Sequence, residues 1–477
     1  MEKSKIIELY SALSIKERNR LSKFINSTYY NESDILVKMN EFICTEINKN
    51  DKYDLDLKKM FAFVYGKKKF NIGLTRYFLS RLNTMIEKFI TVEFDTNEKE
   101  ALILCKFFKE RNVEKYYSEK IKKLESNISK NKIADYNQLA IHIGIQETIG
   151  AFYSNNLNKY LKYINESDEL IEHDINEFFV LSKIKQICAA ENLKMISGIN
   201  KTIFLSNKTI EIIEKENSFK KNILIKTYFQ IYKSFIDKDS DIIELYTLIN
   251  KNKSKINKEE LKSILAYAQN FCLRQINKGK IELQTTLLEI YKISIESGVI
   301  NENNKISESN YNNIIFLGLR LKEYDWTLAF LKKHIFYIPI DKKDNTYNFN
   351  MARYYFFQKQ YDKALVALRE VELNDIFYGL DVRSLLLKIY YETSEREAFY
   401  NLLISFRIFI KRKKLVAPSR QKAYSNMMKY AKKIMLISFK NKAKMEQLNK
   451  EIQTLNPCAD KGWLIEKISE KINYKTQ

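Results

Sequence analysis

A chain of 477 residues with only 10 Gly and 3 Pro has too little turn chemistry for a strand-rich fold and no Gly-rich loop to cradle phosphate. Its formal charge of +22 would attract nucleic acid, membranes or acidic proteins. The lysines, however, are spread over the whole length of a composition biased to Asn, Lys and Ile, so the charge singles out none of these. Five scattered cysteines, an odd number, suit free thiols in a reducing compartment. The first six residues lack the apolar core of a signal peptide, and no apolar run reaches the length of a membrane span, so a cytoplasmic location is expected.

Ile6, Ile7, Tyr10 and Leu13 share one helical face. Ser14 and Glu17 spell a capping box that starts a helix running to about Ser27, with Leu21, Phe24 and Ile25 inward. Ser33 and Asp34 start another that reaches Ile47, and a long helix over 74–92 carries Leu79, Leu82, Met85, Ile86 and Phe89 as its stripe. Residues 1–95 thus read as an N-terminal helical region without an internal period. Helices are expected next over 99–111, 113–129, 136–153, 157–172, 176–191, 210–216, 219–236, 241–248, 258–276 and 283–297. Short polar links favour antiparallel neighbours, so 96–300 reads as degenerate helical repeats that continue into 301–410 as one curved body.

Between Ser309 and Ile410 a helical hairpin recurs. Residues 324–329 align with 361–366 at an offset of 37, and Ala364 leads to Ala398 after a further 34. Ala352, Tyr355, Ala364 and Leu368 give a small residue, an aromatic, then Ala and a large apolar residue. The small residues let two antiparallel helices approach, and Tyr355 and Leu368 fill the groove beside them. This spacing resembles the tetratricopeptide repeat. Asp344, Asn345 and Thr346 are expected to cap the first helix of the middle pair, with 358–360 as its turn. Gly318 and Ile389 stand where the neighbouring hairpins should carry the aromatic. Leu13, Ser14, Glu17, Phe24 and 27–31, taken with 347–350 and 384–391, are similar to an uncharacterised family of helical-repeat proteins of Bacteroidota, a resemblance that implies no activity. The expected fold class is all-α: an α-solenoid of antiparallel helical hairpins, tetratricopeptide-like, with no significant sheet.

Residues 411–477 read as basic C-terminal helices and a cap. Arg407, Lys411, Arg412, Lys413, Lys414, Arg420 and Lys422 occur without an intervening acid. Helices over 421–439 and 440–455 follow, Pro457 breaks the chain, and Trp463, Leu464 and Ile468 recur at helical spacing, as a capping helix requires. The basic stretch suits phosphates of nucleic acid or lipid, or else cations beside a helix C-terminus. No aromatics interleave for base stacking between Lys411 and Lys422, which favours the second.

No P-loop, nucleophile elbow, zincin helix or paired CxxC occurs, and His142, His173 and His334 are far apart. Neither catalysis nor a metal or cofactor is expected. In tetratricopeptide proteins the first helix of each pair lines a concave groove. The resemblance puts Asn313, Phe316 and Arg320 of the first hairpin on that face, Phe349, Asn350, Arg353 and Phe357 of the second, and Arg383, Leu387 and Tyr390 of the third. Arg forks suit carboxylates, and Asn suits the amides of an extended peptide. The expected function is a non-catalytic protein-interaction scaffold that takes a partner protein or peptide, preferably acidic, in this groove. The alternative is a nucleic-acid-associated basic helical protein.

Overall fold

The computed structural model describes residues 5–49, 55–94, 97–128, 136–154, 156–236, 242–277, 279–301, 305–372, 376–412, 417–438 and 441–473. Among them every regular element is helical and no strand forms. The chain divides into two compact units between Asn176 and Glu177, within the 96–300 stretch.

The first unit contains α1 (Lys5–Ala12), α2 (Ile15–Ile25), α3 (Asp34–Lys49), α4 (Leu57–Tyr65), α5 (Ile72–Glu93), α6 (Asn97–Glu110), α7 (Glu114–Ile128), α8 (Tyr136–Tyr153) and the start of α9 (Leu157–Ser197). The capping box forms: Ser14 Oγ accepts from the Glu17 amide at 3.3 Å, and Glu17 Oε2 from the Ser14 amide at 2.7 Å. α1, α2 and α5 pack with α3 around Tyr10, Leu21, Ile25, Met39, Ile43 and Ile86. α4, additional to the expected helices, is capped by Asp56, whose side chain accepts from the amides of Lys58 and Lys59. Cys105, Ile121, Ile145 and Ile149 form a second core between α6, α7 and α8. The two helices expected over 157–191 are one, α9, because no Gly or Pro interrupts 157–197 and the polar residues near His173 break no backbone bond.

The second unit contains the end of α9 and α10 (Ser206–Lys215), α11 (Ile223–Ile236), α12 (Ile242–Asn252), α13 (Lys258–Asn277), α14 (Leu283–Glu296), α15 (Glu308–Arg320), α16 (Tyr324–His334), α17 (Ile340–Phe357), α18 (Tyr361–Arg369), α19 (Ile376–Glu392), α20 (Arg396–Arg412), α21 (Pro418–Leu436), α22 (Lys442–Thr454) and α23 (Lys461–Asn473). Consecutive helices pack in pairs: α13 on α14, α15 on α16, α17 on α18, α19 on α20. The first members also touch, α15 on α17 and α17 on α19, and α23 packs on α21 and α22. One hydrophobic core runs from Phe349 through Met427 and Met428 to Leu464 and Ile468.

The same turn closes three of these pairs. Lys322, Lys359 and Ser394 have φ values of 61°, 59° and 60°. The next amide in each case bonds five residues back: Glu323 to the Gly318 carbonyl, Gln360 to Tyr355, Glu395 to Tyr390. This is the Schellman arrangement, which satisfies the orphan carbonyls of a helix end. Asn112 closes α6 in the same way. The turns align the hairpins at an offset of 37 and then of 35, which corrects the third hairpin by one residue. Tyr390, not Ile389, answers Tyr355, and the buried Phe399, not the half-buried Ala398, answers Ala364.

Ala364 is fully buried, as a close helix contact requires. In the first hairpin Thr327 takes its place, and Gly318 compensates: a Cβ there would lie 2.2 Å from Thr327 Oγ1. The missing aromatic is thus a size exchange across the same contact. The cap assigned to 344–346 is not one, because α17 begins at Ile340, behind Pro339. Asn345 instead pairs with the Glu372 backbone, accepting from its amide at 2.7 Å and donating to its carbonyl at 3.1 Å.

Candidate functional site

With the turns superposed, two helical positions recur along α15, α17 and α19. Phe316, Arg353 and Lys388 occupy one, and Arg320, Phe357 and Glu392 the other. All six line two adjoining hollows of about 1080 and 260 Å³ that share Phe316, Phe357, Lys388 and Asp460. The Phe316 and Phe357 rings meet edge-on at 6.3 Å. The Arg320 and Arg353 guanidiniums lie 5.7 and 5.5 Å from the Phe316 centroid, and Arg353 also lies 4.2 Å from that of Phe349. Neither is within ion-pair distance of a described carboxylate. Guanidinium stacks well on an aromatic face, so two forks are held around one ring with their donors unspent.

The opposite wall is the stretch 453–467. Asp460 Oδ2 accepts from Ser384 Oγ at 2.6 Å and pairs with Lys388 Nζ at 3.1 Å. The two charged side chains are 22% and 10% exposed, so this pair is largely desolvated. Burial works to raise the Asp460 carboxyl, but the Lys388 charge, bonds from Ser384 and Lys388, and the Arg353 charge hold it below the usual aspartate range. The Ala459 amide bonds the Ala423 carbonyl at 3.1 Å, and Asn426 Nδ2 the Pro457 carbonyl at 2.8 Å. Trp463 Nε1 donates to Glu392 at 2.9 Å, and its ring meets Tyr391 edge-on. Lys467, almost fully buried, pairs with Glu392 at 3.0 Å and Glu470 at 2.8 Å. Burial would lower its ammonium, but bonds to Glu470 and Glu392 push it above the usual lysine range. Gly462 leaves room for Arg320: a Cβ there would stand 3.0 Å from Nη2.

Of the residues expected on the groove, Phe316, Arg320, Arg353 and Phe357 come together. Asn313 is exposed but lines neither hollow. Phe349 and Leu387 are buried in the core, and so is Asn350, which donates to Asn312 Oδ1 at 2.6 Å and the Thr346 carbonyl at 2.8 Å. None of the three is open to a peptide. Arg383 turns away, 4.0 Å over the Phe409 ring, with Nη1 on the Gly379 carbonyl. Tyr390 is half-buried and lines neither hollow. At the offset of 35 the residue answering Arg353 is Lys388, and Arg383 stands five residues before it. An offset of 35 would have found Lys388 and Glu392; Asp460 carries no comparable signal.

Arg407, Lys411 and Arg412 are exposed on α20, the last two in its final turn, where cations suit the helix dipole. Arg420 and Lys422 are exposed near the start of α21. Lys413 and Lys414 lie outside the described residues. Among the described residues, no group of three His, Cys, Asp or Glu could hold a metal ion, and no helix is long and apolar enough to cross a membrane. No family model, curated protein or solved structure matches the chain.

Proposed function

We propose that the second unit is a non-catalytic protein-interaction scaffold, a run of tetratricopeptide-like hairpins that holds a partner protein or peptide in the groove of α15, α17 and α19. The observation that carries this reading is the pair Arg320 and Arg353, stacked around Phe316 with no described carboxylate within ion-pair distance, at the edge of an open hollow. Charged donors held in place but unspent favour an acidic ligand, because its carboxylates gain two forks and displace only water. The recurring turn at Lys322, Lys359 and Ser394 supports the hairpin reading.

The test is capture of partners from native lysate, with and without nuclease, by the parent chain and by groove variants. Proteins retained after nuclease should bind Arg353→Ala less well and Arg353→Glu worse still, since Glu adds repulsion to the lost fork. Arg320 is exposed, so Arg320→Glu should leave stability within about 0.5 kcal/mol and still weaken binding. A nucleic-acid reading rests on the exposed Arg407, Lys411, Arg412, Arg420 and Lys422. Lys411→Glu with Arg412→Glu should then lower affinity for nucleic acid and flatten its salt dependence, while groove variants bind like the parent.

A further inference from the structure

Asp460 stands where a ligand of this groove would stand. Its carboxylate meets Ser384 and Lys388, and Lys388 occupies in α19 the position that Arg353 occupies in α17. The remaining holds on 456–460 are the Ala459 amide on Ala423, the Pro457 carbonyl on Asn426, the Asp460 carbonyl on the amides of Trp463 and Leu464, and the partial packing of Cys458 and Ala459 against the core. No side chain of 456–462 is fully buried. The apolar anchors of the C-terminus come after this loop: Leu464 and Ile468 are wholly buried, on a helix that packs against α21 and α22. Residues 456–460 can therefore lift, releasing the Asp460 carbonyl from the amides of Trp463 and Leu464, while Leu464 and Ile468 keep the body of α23 docked. Asp460 also has a φ of 47°, a conformation unfavourable for any residue with a Cβ, which the two contacts of its carboxylate offset.

We propose that residues 456–460 are a built-in occupant of the groove, a loop whose Asp460 holds the place of a partner's carboxylate at Ser384 and Lys388 and lifts when an acidic peptide takes that place. This rests on the scaffold reading above and names the regulation of the same site. The site left open at Arg320 and Arg353 admits the partner first, and full engagement then requires the loop to give way. A tethered segment competes at a high effective concentration, so the parent chain binds weakly in trans at Ser384 and Lys388.

The probe is a fluorescent synthetic peptide with the sequence of residues 454–463, and a second in which Asn replaces its aspartate. Both are titrated against the full chain and the full-length Asp460→Asn variant. The aspartate peptide should bind the variant at least about tenfold more tightly than the parent, since the competing carboxylate is gone, and the Asn peptide should gain nothing. Equal affinity for the two chains, equal binding of the two peptides, or no binding to either chain overturns the proposal. Hydrogen exchange on the parent protein gives a reading that needs no variant. The Ala459 amide should exchange at least tenfold faster than amides at the centre of α23, and faster still with saturating peptide. Exchange in step with α23 overturns the proposal. Should a lysate partner bind the parent and Asp460→Asn alike yet be lost on Arg353→Glu, the scaffold reading stands and the internal occupant falls. Should no groove variant alter partner binding, the scaffold reading itself falls.

Discussion

Around Tyr10 in the N-terminal bundle and around Asp460 in the C-terminal helices, the chain ties distant elements together with buried polar atoms of opposite kinds. Tyr10 of α1 donates to Asn40 Oδ1 of α3 at 2.6 Å, and Asn40 Nδ2 donates to Ser22 Oγ of α2 at 3.0 Å. Arg18 adds a bond to the Tyr10 carbonyl. The C-terminal helices are joined by charges instead: Asp460 on Lys388, and Glu392 on Lys467. A neutral network keeps its donors and acceptors across the working pH range. A buried ion pair binds more strongly but is exposed to acid and to loss of either partner.

Removing one partner of the charged network is the largest test of that contrast. Asp460→Ala leaves Lys388 nearly buried with no carboxylate, its closest compensation being the Phe356 ring at 5.4 Å. The expected cost is about 3 kcal/mol at neutral pH, measured by urea unfolding followed through Trp326 and Trp463. Asp460 is held below its usual range, so its contribution is present above about pH 4 and fades as pH falls through the lower folded value. Parent and variant should therefore converge in acid. A difference that stays constant down to pH 2 would show that packing, and not the ion pair, sets the loss.

A middle-sized effect tests the hairpin register within the same unit. Gly318→Ala drives a Cβ into Thr327 Oγ1, a buried hydroxyl already bonded to the Glu323 carbonyl at 2.6 Å. Overpacking of this kind costs about 2 kcal/mol. Thr327→Ala in the same chain removes the obstructing atom and recreates the small partner that Ala364 supplies in the next hairpin. The double variant should recover most of the loss, giving a coupling of at least about 1 kcal/mol in a double-mutant cycle. Additive losses would mean that the two positions do not share one contact.

The helical class was legible because Gly and Pro are scarce and because caps such as Ser14 with Glu17 act within one turn of chain. The middle hairpin was legible for the same local reason: Ala352, Tyr355 and Ala364 must sit at fixed helical spacing to let two helices touch. The third hairpin was misread by one residue because Ala398 imitates Ala364, whereas the backbone marks the register at Ser394, whose left-handed φ has no Gly to announce it. That single slip carries Arg353 to Leu387 and Phe357 to Tyr391, one residue short of Lys388 and Glu392. Asp460 was beyond reach of any periodic argument, since it meets Ser384 only after 76 intervening steps of chain. The charge of +22 misleads in the same way, because it does not distinguish Arg320 and Arg353 from lysines already paired.

The smallest effect belongs to the neutral network and makes the contrast sharp. Tyr10→Phe keeps the ring, which is fully buried, and removes only the hydroxyl bonded to Asn40. Asn40 Oδ1 then retains Cys44 Sγ at 3.7 Å as a weak donor, and its amide retains Ser22. The expected loss is about 1 kcal/mol, read from hydrogen exchange of α1 to α3 because both tryptophans lie in the other unit. Burial pushes the Tyr10 phenol well above its usual range and raises the Cys44 thiol, so neither ionises near neutrality. The loss should therefore stay flat between about pH 5 and pH 8, and still be there at pH 4, where the effect of Asp460→Ala has begun to shrink. A Tyr10→Phe effect that instead rises and falls with pH would place a titrating charge in the N-terminal hub, and the two regions would no longer differ in kind.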